Sequence, residues 1–408
     1  MKNALYFQSG GVTAVIGATA AALITAHKAH TQGRLYAAEH GLAGVIDARL
    51  FDATALPDNM LLALSHVPGG GLGSGRTLLQ PYEDNPAQWV RVRDVLVAHQ
   101  IGTVYVNGGN GSMDTAAKLV ELGRRFGIPL QVIGLPKTID NDLEGTDASP
   151  GFGSALKYLT VSLMEAARDH FAMATKPSVF ILEVMGRHTG WLTTCGALAR
   201  FPVAMSKPLM LFPERVFDEN ELLHAVEQSF SQSHACVCVV SEGIRTADGA
   251  FYVQQNAATR YGHEQLGGAG LAVGHLLRDK FGLKAHVAIP DYMQRAARHL
   301  ASATDICQAE AVARHAVALV ATGQSDVMVN IVRDQSTPYV WHCDAVPLAD
   351  IANRERAFPA AWIDHTGFGI TQTALDALRP LIQGEAPVAW RDGLPDYPWV
   401  EWPPVSAL

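Results

Sequence analysis

The chain has 408 residues and a mass of 43.7 kDa, room for two or three domains at about 150 residues each. Hydrophobic residues make up 48% and charged residues 17%, which excludes a disordered chain. Thirty-one Lys and Arg against 39 Asp and Glu leave a net charge of −8, so there is no general polyanion-binding surface and nucleic acid is not a partner.

Residues 4–7 are apolar and read as a first strand. The stretch 3–10 is close to a protease-cleavage tag but lacks the leading Glu, so it is read as native. Ser9, Gly10 and Gly11 form a turn before a helix-period segment at 12–27. That segment is uncharged over 12–26 and follows Lys2, as a signal peptide would. It is too short to cross a bilayer, which takes about 20 apolar residues, and threonines interrupt it. No secretion, membrane insertion or membrane partner is expected. A Gly-rich loop at 69–76 ends in Arg76. Apolar runs predict further strands at 104–106, 130–133, 179–184, 235–240 and 327–332. Helix-period segments lie between them at 89–99, 113–126, 156–171, 219–230 and 308–321. Gly108, Gly109, Asn110, Gly111 and Ser112 follow the 104–106 strand, and Gly186 to Gly190 follow the 179–184 strand. The five cysteines have no framework spacing. Cys236 and Cys238 point to one face of a buried strand, and the chain reads as cytoplasmic. Residues 386–408 hold five Pro and three Trp and read as an irregular surface tail.

Strands alternating with helices predict an α/β fold with a parallel sheet, whose ligands sit at the carboxyl ends of the strands. The Gly-rich turns fall at such ends. Glycine lets backbone N–H groups approach a phosphate, and a helix N-terminus adds a favourable dipole. No segment fits the P-loop pattern, and no turn gives a full G-x-G-x-x-G. Each turn alone is an ordinary bend; four together, two with an Arg, favour phosphate binding. Lys137, Thr138, Asp140 and Asp142 form the densest polar segment after a strand. Such a set suits phosphoryl transfer: one carboxylate takes a hydroxyl proton, a cation offsets charge, and the other carboxylate orients or holds a metal. A polar turn explains the same residues equally well.

Taken together, these segments resemble the phosphofructokinase family. The resemblance covers about residues 1–330. It rests on SGG at 9–11, GGGLGSGR at 69–76, GGNGS at 108–112, PKTIDND at 136–142, EVMGRHTG at 183–190, SEG at 241–243 and YMQR at 292–295. It implies a phosphotransferase acting on the 1-hydroxyl of fructose 6-phosphate, with Mg2+ as cofactor. Asp140 is implied as general base, with Asp142, Lys137 and Arg187 as further catalytic residues. Thr138, Ile139, Met185, Gly186, Glu242, Tyr292, Met293, Gln294 and Arg295 are implied around the sugar phosphate, with Tyr292 and Arg295 on its 6-phosphate. Gly10, Gly11, Arg76, Gly109, Asn110, Gly111, Ser112 and Lys137 are implied around the donor. His188 reads as a packed histidine.

Two positions bear on the donor, and they disagree. In this family Gly111 is ATP-like, because pyrophosphate enzymes usually carry Asp there, whereas Lys137 is pyrophosphate-like. The wording of the motifs is closer to the pyrophosphate branch. Pyrophosphate is therefore the expected donor, with ATP as the alternative. Sedoheptulose 7-phosphate as acceptor and an inactive sugar-phosphate-binding regulator are the other readings. Asn110 stands where the family's metal-ligating Asp is usual, and His286 where a subunit-crossing Arg is usual, with Lys284 or Lys176 as substitutes for its charge. The resemblance implies two similar three-layer α/β/α, Rossmann-like domains with the active site in the cleft between them. The donor domain is expected at 1–150 with about 296–350, and the sugar-phosphate domain at 151–295 with later helices. A homodimer or homotetramer is expected.

Overall fold

The structure is a computed structural model that describes residues 2–202, 205–253, 267–403 and 405. In chain order the strands are β1 (Asn3–Gln8), β2 (Leu35–Ala38), β3 (Leu50–Asp52), β4 (Ile101–Gly108), β5 (Gln131–Pro136), β6 (Ser178–Val184), β7 (Leu209–Leu211), β8 (Ala235–Ser241), β9 (Lys284–Ala288), β10 (Val327–Gln335), β11 (Val340–Pro347), β12 (Trp390–Arg391) and β13 (Leu394–Pro395). The longer helices are α1 (Ile16–His30), α2 (Pro86–Ala98), α3 (Asn110–Phe126), α4 (Phe152–Met173), α5 (Glu219–Gln232), α6 (Ala269–Phe281) and α7 (Ala303–Ala321). The chain divides into two compact units. One comprises Met1–Ser154, Arg295–Arg356 and Leu381–Leu408; the other comprises Ala155–Gln294 and Ala357–Pro380.

The first unit carries a seven-stranded sheet in the order β11-β10-β5-β4-β1-β2-β3. Strands β10, β5, β4, β1 and β2 run parallel, and only the outer pairings, β2 with β3 and β10 with β11, are antiparallel. The central strands are buried on both faces, so they read as continuous apolar runs. Side-chain alternation divides them between two cores. Leu5, Phe7, Val104 and Val106 pack with Trp89 of α2 and Met113 and Leu119 of α3. Ala4, Tyr6, Tyr105 and Ile133 pack with Leu23 and Ile24 of α1 and Val312 and Val317 of α7. This unit is therefore a three-layer α/β/α sandwich.

The second unit has a four-stranded parallel sheet in the order β7-β8-β6-β9. Val179, Ile181, Cys236 and Cys238 share a face that packs on Leu222 and Val226 of α5 and Val273 and Leu277 of α6. Cys236 and Cys238 are thus core residues of a strand, and all five cysteines are free.

Helix α1 begins at Ile16 rather than at the expected residue 12, because 9–13 form a turn set by Gly10 at φ 83°. The segment after 386 forms the β12–β13 ribbon and then bonds back to β3: the Asp52 N–H donates to the Pro403 carbonyl (3.0 Å) and the Val405 N–H to the Leu50 carbonyl (3.0 Å). Residues 404 and 406–408 of the expected tail lie outside the described residues. No described helix is long and apolar enough to cross a membrane.

Candidate active site

Three of the Gly-rich or polar motifs leave the carboxyl ends of adjacent parallel strands in the first unit. β1 leads into Ser9–Gly11, β4 into Gly109–Ser112 and β5 into Lys137–Asp142; Gln8 lies beside Asn107, and Gly108 beside Pro136. Backbone bonds join the turns: the Ser9 N–H donates to the Asn107 carbonyl (2.9 Å) and the Lys137 N–H to the Gly108 carbonyl (3.1 Å). The 69–76 loop is tied in as well. The Gly10 N–H donates to the Gly75 carbonyl (2.9 Å), and the Ser74 hydroxyl donates to the Gly10 carbonyl (2.7 Å). Gly109 caps α3 without a side-chain cap, and the Ser112 N–H donates to the Gly109 carbonyl (2.9 Å), so the Asn110 and Gly111 N–H groups at the helix start are the ones suited to an anion.

Lys137 is the most buried cation of the set, at 3% exposure. Its ammonium donates to the carbonyls of Ser9 (2.8 Å) and Gly11. Burial, then the Arg295 charge, push it from the ordinary 10.5 down to about 7; Asp140 and Asp142 oppose the fall, and Arg76 adds to it. Lys137, Arg295, Arg76, Asp140 and Asp142 thus lie within one electrostatic neighbourhood. The Arg295 guanidinium also stands over the SGG turn: a Cβ on Gly11 would meet its Nη1 at 2.8 Å. The structure therefore places the Arg295 guanidinium beside the SGG turn of the first unit.

The Asp140 N–H donates to the Thr138 hydroxyl (3.0 Å), which shapes the start of the carboxylate turn. Ile139 is buried behind it. Asn141 adopts φ 53°, a left-handed conformation that Asn tolerates, and its side-chain carbonyl accepts from the Ser149 N–H (2.9 Å). Burial raises the Asp142 carboxyl above its usual range. Asn110 donates from Nδ2 to the Asp142 carbonyl and to its Oδ2, both at 3.2 Å. The Oδ1 atoms of both Asn110 and Asp142 are buried without a hydrogen-bond partner in the protein. Buried oxygens left over on two side chains that touch are suited to a hard cation. Among the described residues, no group of three or more His, Cys, Asp or Glu side chains comes together. Ser9 and Asn141 lie inside the SGG and PKTIDND motifs, where sequence assigns them no ligand role; the structure has the Ser9 carbonyl accept from Lys137 and the Asn141 side chain accept from Ser149.

In the second unit, the MGR and SEG motifs leave the ends of β6 and β8, which are paired Val184 to Ser241. The Glu242 N–H donates to the Val184 carbonyl (3.0 Å), and the Ser241 hydroxyl to the Gly186 carbonyl (2.6 Å). Gly186 sits at φ 134°, and a Cβ on Gly243 would collide with the Arg187 carbonyl, so both positions require glycine. Burial raises the Glu242 carboxyl, while the Gly186 N–H and the Arg187 charge partly offset the rise. Gln294 is buried and accepts from the Met185 N–H through Oε1 (3.2 Å); Tyr292 and Met293 are exposed. His188 stacks on Phe251, with ring centroids 6.1 Å apart, as a packed histidine does. His286 lies on β9 against His170, and Lys284 opens that strand exposed. Sequence reading missed Glu214. Its half-buried carboxylate accepts from the Gly190 N–H (2.9 and 3.1 Å) and the Phe358 N–H (2.8 Å), which braces the turn that carries Arg187. A Pro-Glu pair straight after a strand was the available signal.

Chemically, the first unit offers uncapped N–H groups, three cations and two carboxylates, which is the equipment for binding a polyphosphate beside a base. The second offers an Arg and a Glu on one strand-end platform, suited to an anion and to hydroxyl groups. A sequence model of the family described as phosphofructokinase matches residues 3–320. A protein of Methylococcus capsulatus named pyrophosphate–fructose 6-phosphate 1-phosphotransferase is 44% identical, over 97% of this chain and 95% of its own. A protein of the same name from Xanthomonas campestris is 45% identical, again over 97% and 95%. The crystal structure of a pyrophosphate-dependent phosphofructokinase from Nitrosospira multiformis superposes with a TM-score of 0.91 at 40% identity, covering 100% of this chain and 98% of that one.

Proposed function

Because the chain belongs to the phosphofructokinase family, we propose that it transfers a phosphoryl group from pyrophosphate to the 1-hydroxyl of fructose 6-phosphate. The products are fructose 1,6-bisphosphate and orthophosphate. The observation that carries the reading is the grouping of Lys137, Arg295 and Arg76 with Asp140 and Asp142 at the strand ends of one unit. The names of relatives at 44% and 45% identity support pyrophosphate as donor.

Asp140 accepts the hydroxyl proton as the sugar oxygen attacks, and Asp142 holds the turn beside it. Lys137, Arg76, Gly10, Gly11 and the start of α3, from Gly109 to Ser112, bind the donor. Arg187 offsets charge on the phosphoryl group in flight. Glu242, Met185, Gly186, Thr138, Ile139 and the 292–295 segment bind the sugar phosphate. The protein supplies alignment and charge rather than covalent chemistry. Asn110 and Asp142 fit Mg2+ through their buried, unpartnered Oδ1 atoms. When bound, the metal offsets the charge of the phosphate oxygens. Placement in the cytoplasm and assembly into a homo-oligomer belong to the same proposal.

ATP is the second reading, because Gly111 places no carboxylate at the start of α3. The space beside Gly111 is bordered by Leu78, whose Cδ atoms lie 3.4 and 3.5 Å from where a Cβ would stand. That leucine narrows the space, which supports the smaller donor. The reaction with pyrophosphate is reversible, so the reverse direction tests it. Fructose 1,6-bisphosphate with radiolabelled orthophosphate is expected to give labelled pyrophosphate. Failure to form it would sink the pyrophosphate reading.

One pH effect follows from Lys137. A neutral amine has two N–H bonds, enough for the Ser9 and Gly11 carbonyls. An arriving anion favours the charged form, whose third N–H can reach it. With a resting value near 7, pyrophosphate binding at pH 8 is expected to take up a proton. Calorimetry in two buffers of different ionisation enthalpy reads this uptake. It is expected to disappear in Lys137→Met, and equal uptake in that variant would assign the proton elsewhere.

A further inference from the structure

The turn that carries Asp140 and Asp142 belongs to an irregular segment, 137–151, between β5 and α4. Fixing irregular backbone costs about 1–2 kcal/mol per residue, so such a segment needs holds from outside. Asn110 and Asp305 supply some of them, and a further group comes from residues 330–356, beyond the stretch 3–320 that matches the family model. The Asn330 amide donates to the Gly145 carbonyl (2.7 Å), the Ile331 N–H to the Thr146 hydroxyl (3.0 Å) and the Asp147 N–H to the Ile331 carbonyl (2.8 Å). Arg333 grips Asp147 with two parallel bonds of 2.9 Å, and the Tyr339 hydroxyl donates to the same carboxylate (3.0 Å).

Arg356 acts at both ends of the turn. Its backbone N–H donates to the carbonyl of Asp142 itself (2.8 Å), and Leu143 bridges to Glu355 next to it. Its guanidinium reaches past to the carbonyl of Asp147 (3.0 Å from both Nη atoms) and to that of Thr146. One residue therefore ties 142 to 147, its main chain holding Asp142 and its guanidinium holding Thr146 and Asp147. All of its named bonds go to main-chain oxygens of the loop.

We infer that Arg356, with the Arg333–Asp147–Tyr339 group behind it, is a positioning residue that holds the carboxylate pair in its reactive place. This rests on the reading of Asp140 as base. A planar fork does the holding, so a lysine of equal charge does not replace it. The bonds named above for Arg356 go to the segment that carries the carboxylates. Its loss is therefore read in turnover rather than in substrate affinity.

The test uses the full-length protein with fructose 6-phosphate, Mg2+ and pyrophosphate. Arg356→Lys and Arg356→Met are compared with Arg333→Lys, Asp147→Asn and Asp140→Asn. For Arg356→Met, kcat is expected to fall on the order of 10- to 10²-fold, the size of effect that a small misplacement produces. KM for both substrates is expected to stay within about threefold, since binding and chemistry separate in this way when only the reactive geometry is lost. Arg356→Lys is expected to recover thermal stability without recovering kcat. If the Met variant does not fold, Arg333→Lys and Asp147→Asn are expected to show the same split at smaller size. An Arg356→Lys enzyme as fast as wild type, beside an inactive Asp140→Asn, overturns the positioning role alone. Near-normal turnover in Asp140→Asn overturns the base assignment, and the inference with it.

Discussion

Asp140→Asn is expected to lower turnover with pyrophosphate by a factor on the order of 10² or more, the usual contribution of a positioned general base. Fructose 6-phosphate is expected to bind almost as well as before. The substitution keeps the side chain's shape and removes its capacity to take a proton. The backbone at this position is held by the Thr138 hydroxyl through the residue 140 N–H (3.0 Å), a bond that Asn retains. That main-chain hold on the loop is kept, and the loss is expected in chemistry. Initial rates together with calorimetric titration of fructose 6-phosphate separate the two. Loss of binding in parallel with loss of rate would mean that Asp140 is a sugar ligand rather than the base.

The second large effect is expected at Lys137. Lys137→Met removes the buried ammonium and leaves the Ser9 and Gly11 carbonyls without their donor. kcat/KM for pyrophosphate is expected to fall about 10²- to 10³-fold, the scale seen when one preorganised donor to developing charge is lost. KM for fructose 6-phosphate is expected to change little. Stability responds with a definite sign. The folded-state value lies near 7 against an ordinary 10.5, so the folded protein binds fewer protons than the unfolded chain between those limits. The contribution of Lys137 to stability is then fully present above about pH 10 and is lost as pH falls toward 7. The stability of wild type relative to Lys137→Met is expected to rise with pH across that window, as urea midpoints would report. A difference that falls with rising pH would mean that the lysine is charged and satisfied in the resting protein.

Much of the fold is legible in the sequence because its central strands are buried on both faces. Runs such as 104–106 and 179–184 are continuous and apolar, and each is followed by a glycine turn. The strands that pattern reading does not find are short or partly exposed. β2 and β3 have four and three residues, and β11 alternates exposed and half-buried positions at the sheet edge. Tertiary pairing, not local pattern, makes these strands. The residues proposed to carry the chemistry are legible as motifs, since PKTIDND and MGR each lie in one continuous stretch. Their supports are not. Glu214 acts on Gly190, and Arg333 and Arg356 act on Asp147, across 24, 186 and 209 positions respectively. No short-range spacing encodes such distances. Arg295 is a related case. It lies in a motif that suggests the sugar phosphate, yet its guanidinium is brought to Gly11 and Lys137.

The central claim is the identity of the donor. The most direct measurement is formation of fructose 1,6-bisphosphate from fructose 6-phosphate and Mg2+, with pyrophosphate and ATP supplied in parallel at matched concentrations. Turnover with pyrophosphate and little or none with ATP is the expected result. It would mean that Lys137 and the narrowed space at Leu78 outweigh the missing carboxylate at Gly111. Turnover with ATP alone would contradict the account and make Gly111 the residue that decides the donor.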